Sequence, residues 1–339
     1  MESLEVVLKE GIVTLLLTGL TLACSSCSSH GVKVRVGSLP YPGPTTNFPN
    51  PSNLGVHNSS EKKGEVYTCE AGLIDIVHVR KSADYTKVFS EKIFDNLMKG
   101  KEKFSLQMPE PSNYFIELNY PENWKALSLE EKKRIANEIS IKLGAHISYM
   151  GTTWHEILTW FDYKSTGLIS EFGSAFSLED GFSNLLGTYL AEKVLTENKG
   201  DYNTSLTRAL DEEIRSLGVQ PRKIARKSTR DTKRKRNLDI GLDDGYVTPW
   251  IIPVDSVPES MSAKPKAYPV PNTDILSKYG FSMKFEIEPH ELFEKGKILN
   301  IAGQRKRINP TQDFPKIMNY IKKQAVEKYK FDINVPSGE

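Results

Sequence analysis

Between Ala71 and Val79, in "AGLIDIVHV", every position is apolar except Asp75 and His78. Read as a helix, this segment has no solvent face, and a helix hydrophobic all round must be enclosed by other elements. At about 100° per residue, Asp75, His78, Ser82 and Thr86 fall within an arc of about 80°. A buried polar arc needs partners, because an unpaired buried charge is strongly destabilising. The chain is therefore expected to pack further helices around residues 71–98, and to bring polar groups to that arc. Arg80 and Asp84, four apart, read most simply as a salt bridge along the helix.

The other helical signals agree. Ser128 with Glu131 forms a capping box, and Ile135, Ile139, Leu143, Ile147 and Met150 mark a buried stripe behind it. Gly151 is expected to break or bend this helix, which "TTWHEILTWFDY" then continues. Ser177 is expected to cap a helix with Asp180 in its first turn and Asn184 four residues on. Thr204 and Asp313 read as caps of two more helices. "KFSLQM" and "NYFIELNY" read as strands, the second alternating Tyr114, Ile116 and Leu118 against polar partners. "GYVTPWIIPV", "FSMKFEIEP" and "GKILNIAG" are three later strand candidates. Helices dominate the middle and strands flank them, so the fold class is α+β: a helix-rich central bundle with small flanking antiparallel strands.

Residues 11–23, "GIVTLLLTGLTLA", form an uncharged apolar run of 13 residues followed by "CSSCSSH". At about 1.5 Å per residue the run is too short to cross about 30 Å of hydrocarbon. It suits a signal-peptide core, with Cys24, or alternatively Cys27, as the lipidation site. The leader is net acidic, and Thr21 stands where a lipoprotein signal usually carries Leu, so an ordinary secretory signal is the competing reading. The organisation follows: residues 1–23 as signal peptide, 24–65 as a lipid-anchor and Pro/Asn-rich linker, and 66–335 as a single domain. The localisation expected is a bacterial cell envelope, with the membrane as partner through the N-terminal anchor.

The net charge of +2, from 45 basic and 43 acidic residues, provides no field for nucleic acid, and no nucleic-acid partner is expected. Residues 222–236, nine Lys or Arg among fifteen, are read as a solvated basic loop. Three cysteines leave no complete metal-binding cysteine pattern. Cys27 and Cys69 are candidates for a pair in an oxidising envelope. On a continuous helix Cys69 and His78 would point to opposite faces, which excludes a dyad between them.

The chemistry-bearing candidates are Asp75, His78 and Glu156, with His155 and Asp180 as alternates. Asp and His three apart on a helix can share a metal or act as orienter and base. Glu156 lies between Trp160 and Tyr163 on the helical wheel, where a dry surround would raise its pKa. The same three residues are the metal candidates; no cofactor is evident, and a divalent metal is compatible with the set. "WHEILT" carries Thr159 where a zincin needs its second histidine, which excludes that family. His146, on the Ile139–Leu143–Met150 stripe, reads as a hydrogen-bonded core histidine. Nucleophile-elbow, phosphate-loop and dinucleotide-binding motifs are absent from the sequence.

"TCEAGLIDIVHVRKSADYT", "WHEILTWF", "SAFSLEDGFSNLLG" and "FEIEPHELFEKGKIL" together resemble a bacterial family of envelope lipoproteins catalogued as a domain of unknown function (number four thousand and fifty-six). The resemblance covers roughly residues 66–330 and implies an exported, often lipidated chain. It brings no activity and no site residues. Two function classes follow. One is a binding or structural module, favoured because no catalytic motif is complete. The other is a hydrolase-like enzyme with an Asp/His/Glu pocket, in which His78 and Glu156 lie close enough to interact directly or through one water or ion.

Overall fold

In the computed structural model the segment from Ala71 does not begin as a helix. Strands β1 (Glu65–Thr68) and β2 (Gly72–Asp75) pair antiparallel as a hairpin, and helix α1 (Ile76–Met98) starts only after them. Gly72 turns the chain at a φ of +63°, a conformation that excludes a right-handed helix at this point. Asp75 then caps α1: its Oδ1 accepts the amide of Val77 at 2.7 Å. An unbroken apolar run suits a buried strand as well as a buried helix, and periodicity alone does not separate them. The helical argument separating Cys69 from His78 loses its premise. Cys69 lies in the hairpin turn, buried, with Gln220 Nε2 donating to its sulfur at 3.2 Å.

The structure describes residues 47–334 apart from 59–60, 109–111, 165–169, 230–231, 233, 255–263, 291–294 and 304. After α1 come β3 (Lys103–Gln107), β4 (Ser112–Asn119) and the long helices α2 (Leu129–Trp160) and α3 (Asp180–Glu197). Helices α4 (Tyr202–Ser216) and α5 (Arg222–Ser228) follow, then the short strands β5 (Lys235–Arg236), β6 (Tyr246–Val247) and β7 (Tyr268–Pro269). The chain ends with α6 (Asp274–Lys278), β8 (Ser282–Pro289), α7 (Lys295–Ile301), α8 (Pro310–Glu327) and β9 (Asp332–Ile333). The class is α+β, with eight α-helices among the described residues. No helix among them is long and apolar enough to cross a membrane. The signal peptide, Cys24 and Cys27 lie outside the described residues.

Helix α1 lies against both α2 and α3, and small residues set how closely. A Cβ on Gly187 of α3 would come within 2.1 Å of the Val79 carbonyl oxygen, and one on Gly144 of α2 within 2.8 Å of the Thr86 carbonyl. Ser148 Oγ donates to the Ser82 carbonyl at 3.1 Å. Helix α2 opens with the expected capping box but runs through Gly151 to Trp160 without a break. Gly151 is there for close packing: a Cβ would sit 2.4 Å from the sulfur of Met108. Strands β3, β4 and β8 form an antiparallel sheet in that order, with Tyr114, Ile116 and Leu118 buried as their alternation required.

Five further expectations are corrected. The basic run is not a solvated loop: Arg222–Ser228 is helical and buries Ile224 and Ala225 against Phe48, Tyr67, Leu73 and Val254. Lys235 and Arg236 pair in parallel with β9. Charge counting missed the two apolar positions that dock the run. "GKILNIAG" forms α7 rather than a strand, with Ile298 its buried residue. Helix α8 is capped by Asn309 with Pro310 at its first position, while Asp313 accepts the Asn309 amide at 2.8 Å from inside the helix. Asp201 rather than Thr204 caps α4, and α3 starts at Asp180 rather than in a turn capped by Ser177.

The Pro/Asn-rich stretch, in its described part, packs on the body of the protein. Phe48, Leu54 and His57 are buried, and His57 Nε2 lies 2.8 Å from Asp84 Oδ1. Arg80 donates to the carbonyls of Leu54 at 3.2 Å and Gly55 at 2.8 Å. The two residues expected to form a helix salt bridge are thus both buried and both engaged by the 47–58 segment.

Candidate functional site

The polar arc of α1 is met by the polar arc of α3. Ser82 Oγ donates to Asn184 Oδ1 at 2.7 Å, and seven residues earlier the Asp75 amide donates to Ser183 Oγ at 2.9 Å. At the end of this seam the N-termini of α1 and α3 come together. His78 Nδ1 lies 2.8 Å from Asp75 Oδ2 and 3.2 Å from Asp180 Oδ1. Asp75 caps one helix and Asp180 opens the other, so both carboxylates sit where helix dipoles favour negative charge.

Burial opposes a charged His78, but Asp180 and then Asp75 outweigh it and raise the imidazole to about 10. Asp180 is pushed up by burial and by Asp75, against the pull of His78. Next to it, at the cap position of α3, Glu179 is raised by burial and by Asp180 to about 7. The ring of His78 is not sealed; 19% of the side chain reaches solvent.

Glu156 projects from the last turns of α2 and is 5% exposed. Its Oε2 accepts the Phe176 amide at 2.7 Å. Phe176 holds a φ of +53°, an unusual conformation for a bulky residue, and its carbonyl accepts the Asn237 amide at 3.1 Å. Burial and Asp180 raise Glu156 to about 8, while the Phe176 amide and His78 oppose this. Glu156 thus bears electrostatically on both Asp180 and His78, although its hydrogen bond goes to Phe176 and not to the imidazole. His155 stands beside the group: burial, Lys81 and His78 lower its pKa to about 3 and keep it neutral. Its ring packs edge-on to Tyr163, and its Nε2 is 3.8 Å from Glu171.

The structure brings Asp75, His78 and Asp180 into direct contact and places Glu156 and His155 within electrostatic reach. Asp180, read from the sequence chiefly as a helix-dipole residue, is the second direct partner of His78. Glu179, Lys81 and Arg236 were missed. Arg236 is 6% exposed, donates to the Gly173 carbonyl at 2.9 Å and stacks over Phe331, while Glu179, Glu156 and Asp180 stabilise its charge against burial. Its place inside a run of nine basic residues hid it. The adjacency of Glu179 to Asp180 was the available signal for the former. His146 matches its expectation: its Nδ1 lies 2.7 Å from the Pro271 carbonyl, and burial lowers its pKa. Cys69 is a poor nucleophile, since burial raises its thiol pKa.

Asp75, His78 and Asp180 each offer one ligand atom, and these atoms lie within 4.8 Å of one another. A nitrogen and two carboxylate oxygens at that spacing can hold a proton or a small divalent cation. A family model described as "Protein of unknown function (DUF4056)" matches residues 36–233. That span begins before residue 66 and excludes the C-terminal "FEIEPHELFEKGKIL" stretch. No curated protein and no solved structure matches the chain.

Proposed function

We propose, for a chain that belongs to the DUF4056 family of proteins of unknown function, a hydrolytic role at the Asp75–His78–Asp180 centre of an exported, lipid-anchored envelope protein. The observation that carries the hydrolytic reading is that one imidazole nitrogen faces carboxylates from two different helices, with a third acid, Glu156, alongside. Two helices can be tied together without buried charge, as Ser82 and Asn184 already do. An excess of carboxylates holds a partly exposed imidazole in its charged form, which suits it to donate a proton to a reacting group while a neighbouring carboxylate accepts one from water. Asp75 and Asp180 hold His78, and Glu156, kept protonated by its dry surround, is placed to donate to a leaving group.

Turnover of chromogenic carboxylic and phosphate esters, and of isolated envelope material, tests this. Glu156→Gln is expected to lower the rate at least about 100-fold, the usual contribution of a positioned acid. A folded chain that turns over none of these substrates overturns the reading. The competing role is a structural or binding module. It is supported by Asp75, which spends one oxygen on capping α1 and its amide on Ser183.

Export and anchoring rest on the apolar run 11–23 and on Cys24. Labelling cells with a fatty-acid analogue should mark the parent and not Cys24→Ala. Equal label on that variant moves the anchor to Cys27, and an unlabelled parent ends the lipoprotein reading.

A further inference from the structure

The geometry points to a divalent transition-metal site formed by Asp75, His78 and Asp180, with Glu156 as the acid beside it; this inference rests on the hydrolytic reading above and makes His78 a ligand rather than a proton donor.

His78 Nδ1 carries at most one proton, yet two carboxylate oxygens face it, at 2.8 Å from Asp75 and 3.2 Å from Asp180. A single N–H cannot align with both. A cation bound at about 2.0–2.2 Å to each of three such atoms would separate them by about 3.4 Å; the two His78 distances of 2.8 and 3.2 Å would open by about 0.6 and 0.2 Å, and all three atoms already lie within 4.8 Å of one another. One nitrogen and two oxygens suit zinc, manganese, cobalt or iron, rather than the oxygen-only surroundings of calcium and magnesium.

Independent support comes from Glu156. It is more than nine-tenths buried, and its Oε2 is held by the Phe176 amide. Its charge bears on Asp180 and His78, so this acid lies within electrostatic reach of two of the three ligands. The neighbouring His155, whose pKa His78 helps to lower, has a buried Nδ1 without a hydrogen-bond partner among the described residues, and such atoms are rare in native folds. Three protein ligands, one open position and an adjacent carboxylate are the parts required for metal-assisted hydrolysis, in which the cation lowers the pKa of its bound water and the acid receives or returns the proton.

Equilibrium dialysis of the chelator-treated chain against zinc, with metal analysis of the protein, tests the site. One zinc per chain is expected, with a thermal midpoint raised by zinc. His78→Gln and Asp180→Asn should each weaken binding at least about 100-fold, since even the outer partners of metal ligands count for 10- to 100-fold. Asp243→Asn, an exposed control, should bind as the parent does. Circular dichroism shows whether each variant is folded; if one is not, the cobalt-substituted parent decides, because an imidazole–carboxylate site gives a visible ligand-field band that zinc displaces. No stoichiometric zinc and no cobalt band in a folded parent overturn the metal site. Chelator-resistant hydrolysis would then leave the acid–base reading standing, whereas zinc bound without hydrolysis would overturn that reading and keep the site.

Discussion

Ser82 on α1 donates its hydroxyl to the side-chain oxygen of Asn184 on α3 across 2.7 Å, and both residues are buried. This bond lies about one turn beyond His78 on α1 and beyond Asp180 on α3, beside the close crossing at Gly187, so it helps fix the register in which the three meet. Ser82→Ala leaves the Asn184 carbonyl oxygen without its donor and should destabilise the fold by about 1–3 kcal/mol in urea unfolding. A change within a few tenths of a kcal/mol would mean that the seam does not depend on this bond.

Two glycines of the same helix should respond oppositely to alanine. A Cβ on Gly187 meets the Val79 carbonyl oxygen at 2.1 Å, whereas one on Gly181 finds open space. Gly187→Ala must push α1 and α3 apart and should destabilise by about 3 kcal/mol or more, beyond ordinary overpacking because backbone is the obstacle. Gly181→Ala should be neutral or stabilising by up to about 1 kcal/mol through helix propensity. Equal effects in a thermal-melt comparison would contradict the packing.

The basic run is anchored by apolar contacts, so Ile224→Asp places a charge against Phe48, Leu73 and Val254 and should release it. Limited trypsin digestion mapped by mass spectrometry reads the result. The parent should resist cleavage after Lys223 and Arg226 while the variant is cut there early. Early cleavage at those sites in the native parent would show that α5 is not docked.

The protonation of Glu156 predicts a pH slope in chelator-treated protein. Its pKa rises from 4.5 in an unfolded chain to about 8 in the fold, so between those values the folded state holds a proton that the unfolded state has lost. This group's contribution to stability is full below about pH 4.5 and falls as pH rises towards 8. Glu156→Gln is neutral throughout and should flatten that part of the profile of unfolding free energy. A parent and variant with parallel profiles from pH 5 to 8 would place the Glu156 carboxyl in an ordinary solvated state.

Local signals were legible wherever the physics is local. Ser128 and Glu131 cap α2 as the sequence indicated, because the capping box joins residues three apart. Tyr114, Ile116 and Leu118 face the core because a strand's alternation needs only the pleat. The same chemistry misled where context decides: Ala71–Asp75 is hairpin and Lys295–Ile301 helix, although both short apolar segments fit either state. The candidate site was half legible. The spacing of Asp75 and His78 marked a polar arc that had to be satisfied, and Glu156 an acid on an aromatic surface. That Asp180 completes the arc, that Phe176 fixes Glu156 and that Arg236 stands opposite depended on how α2, α3 and the 235–237 stretch pack against α1. Sequence by itself determined which groups could not be left unpaired in a core. Their partners lie up to 108 residues away, and only the close helix crossings permitted by Gly144 and Gly187 decided which of the chain's acids would reach them.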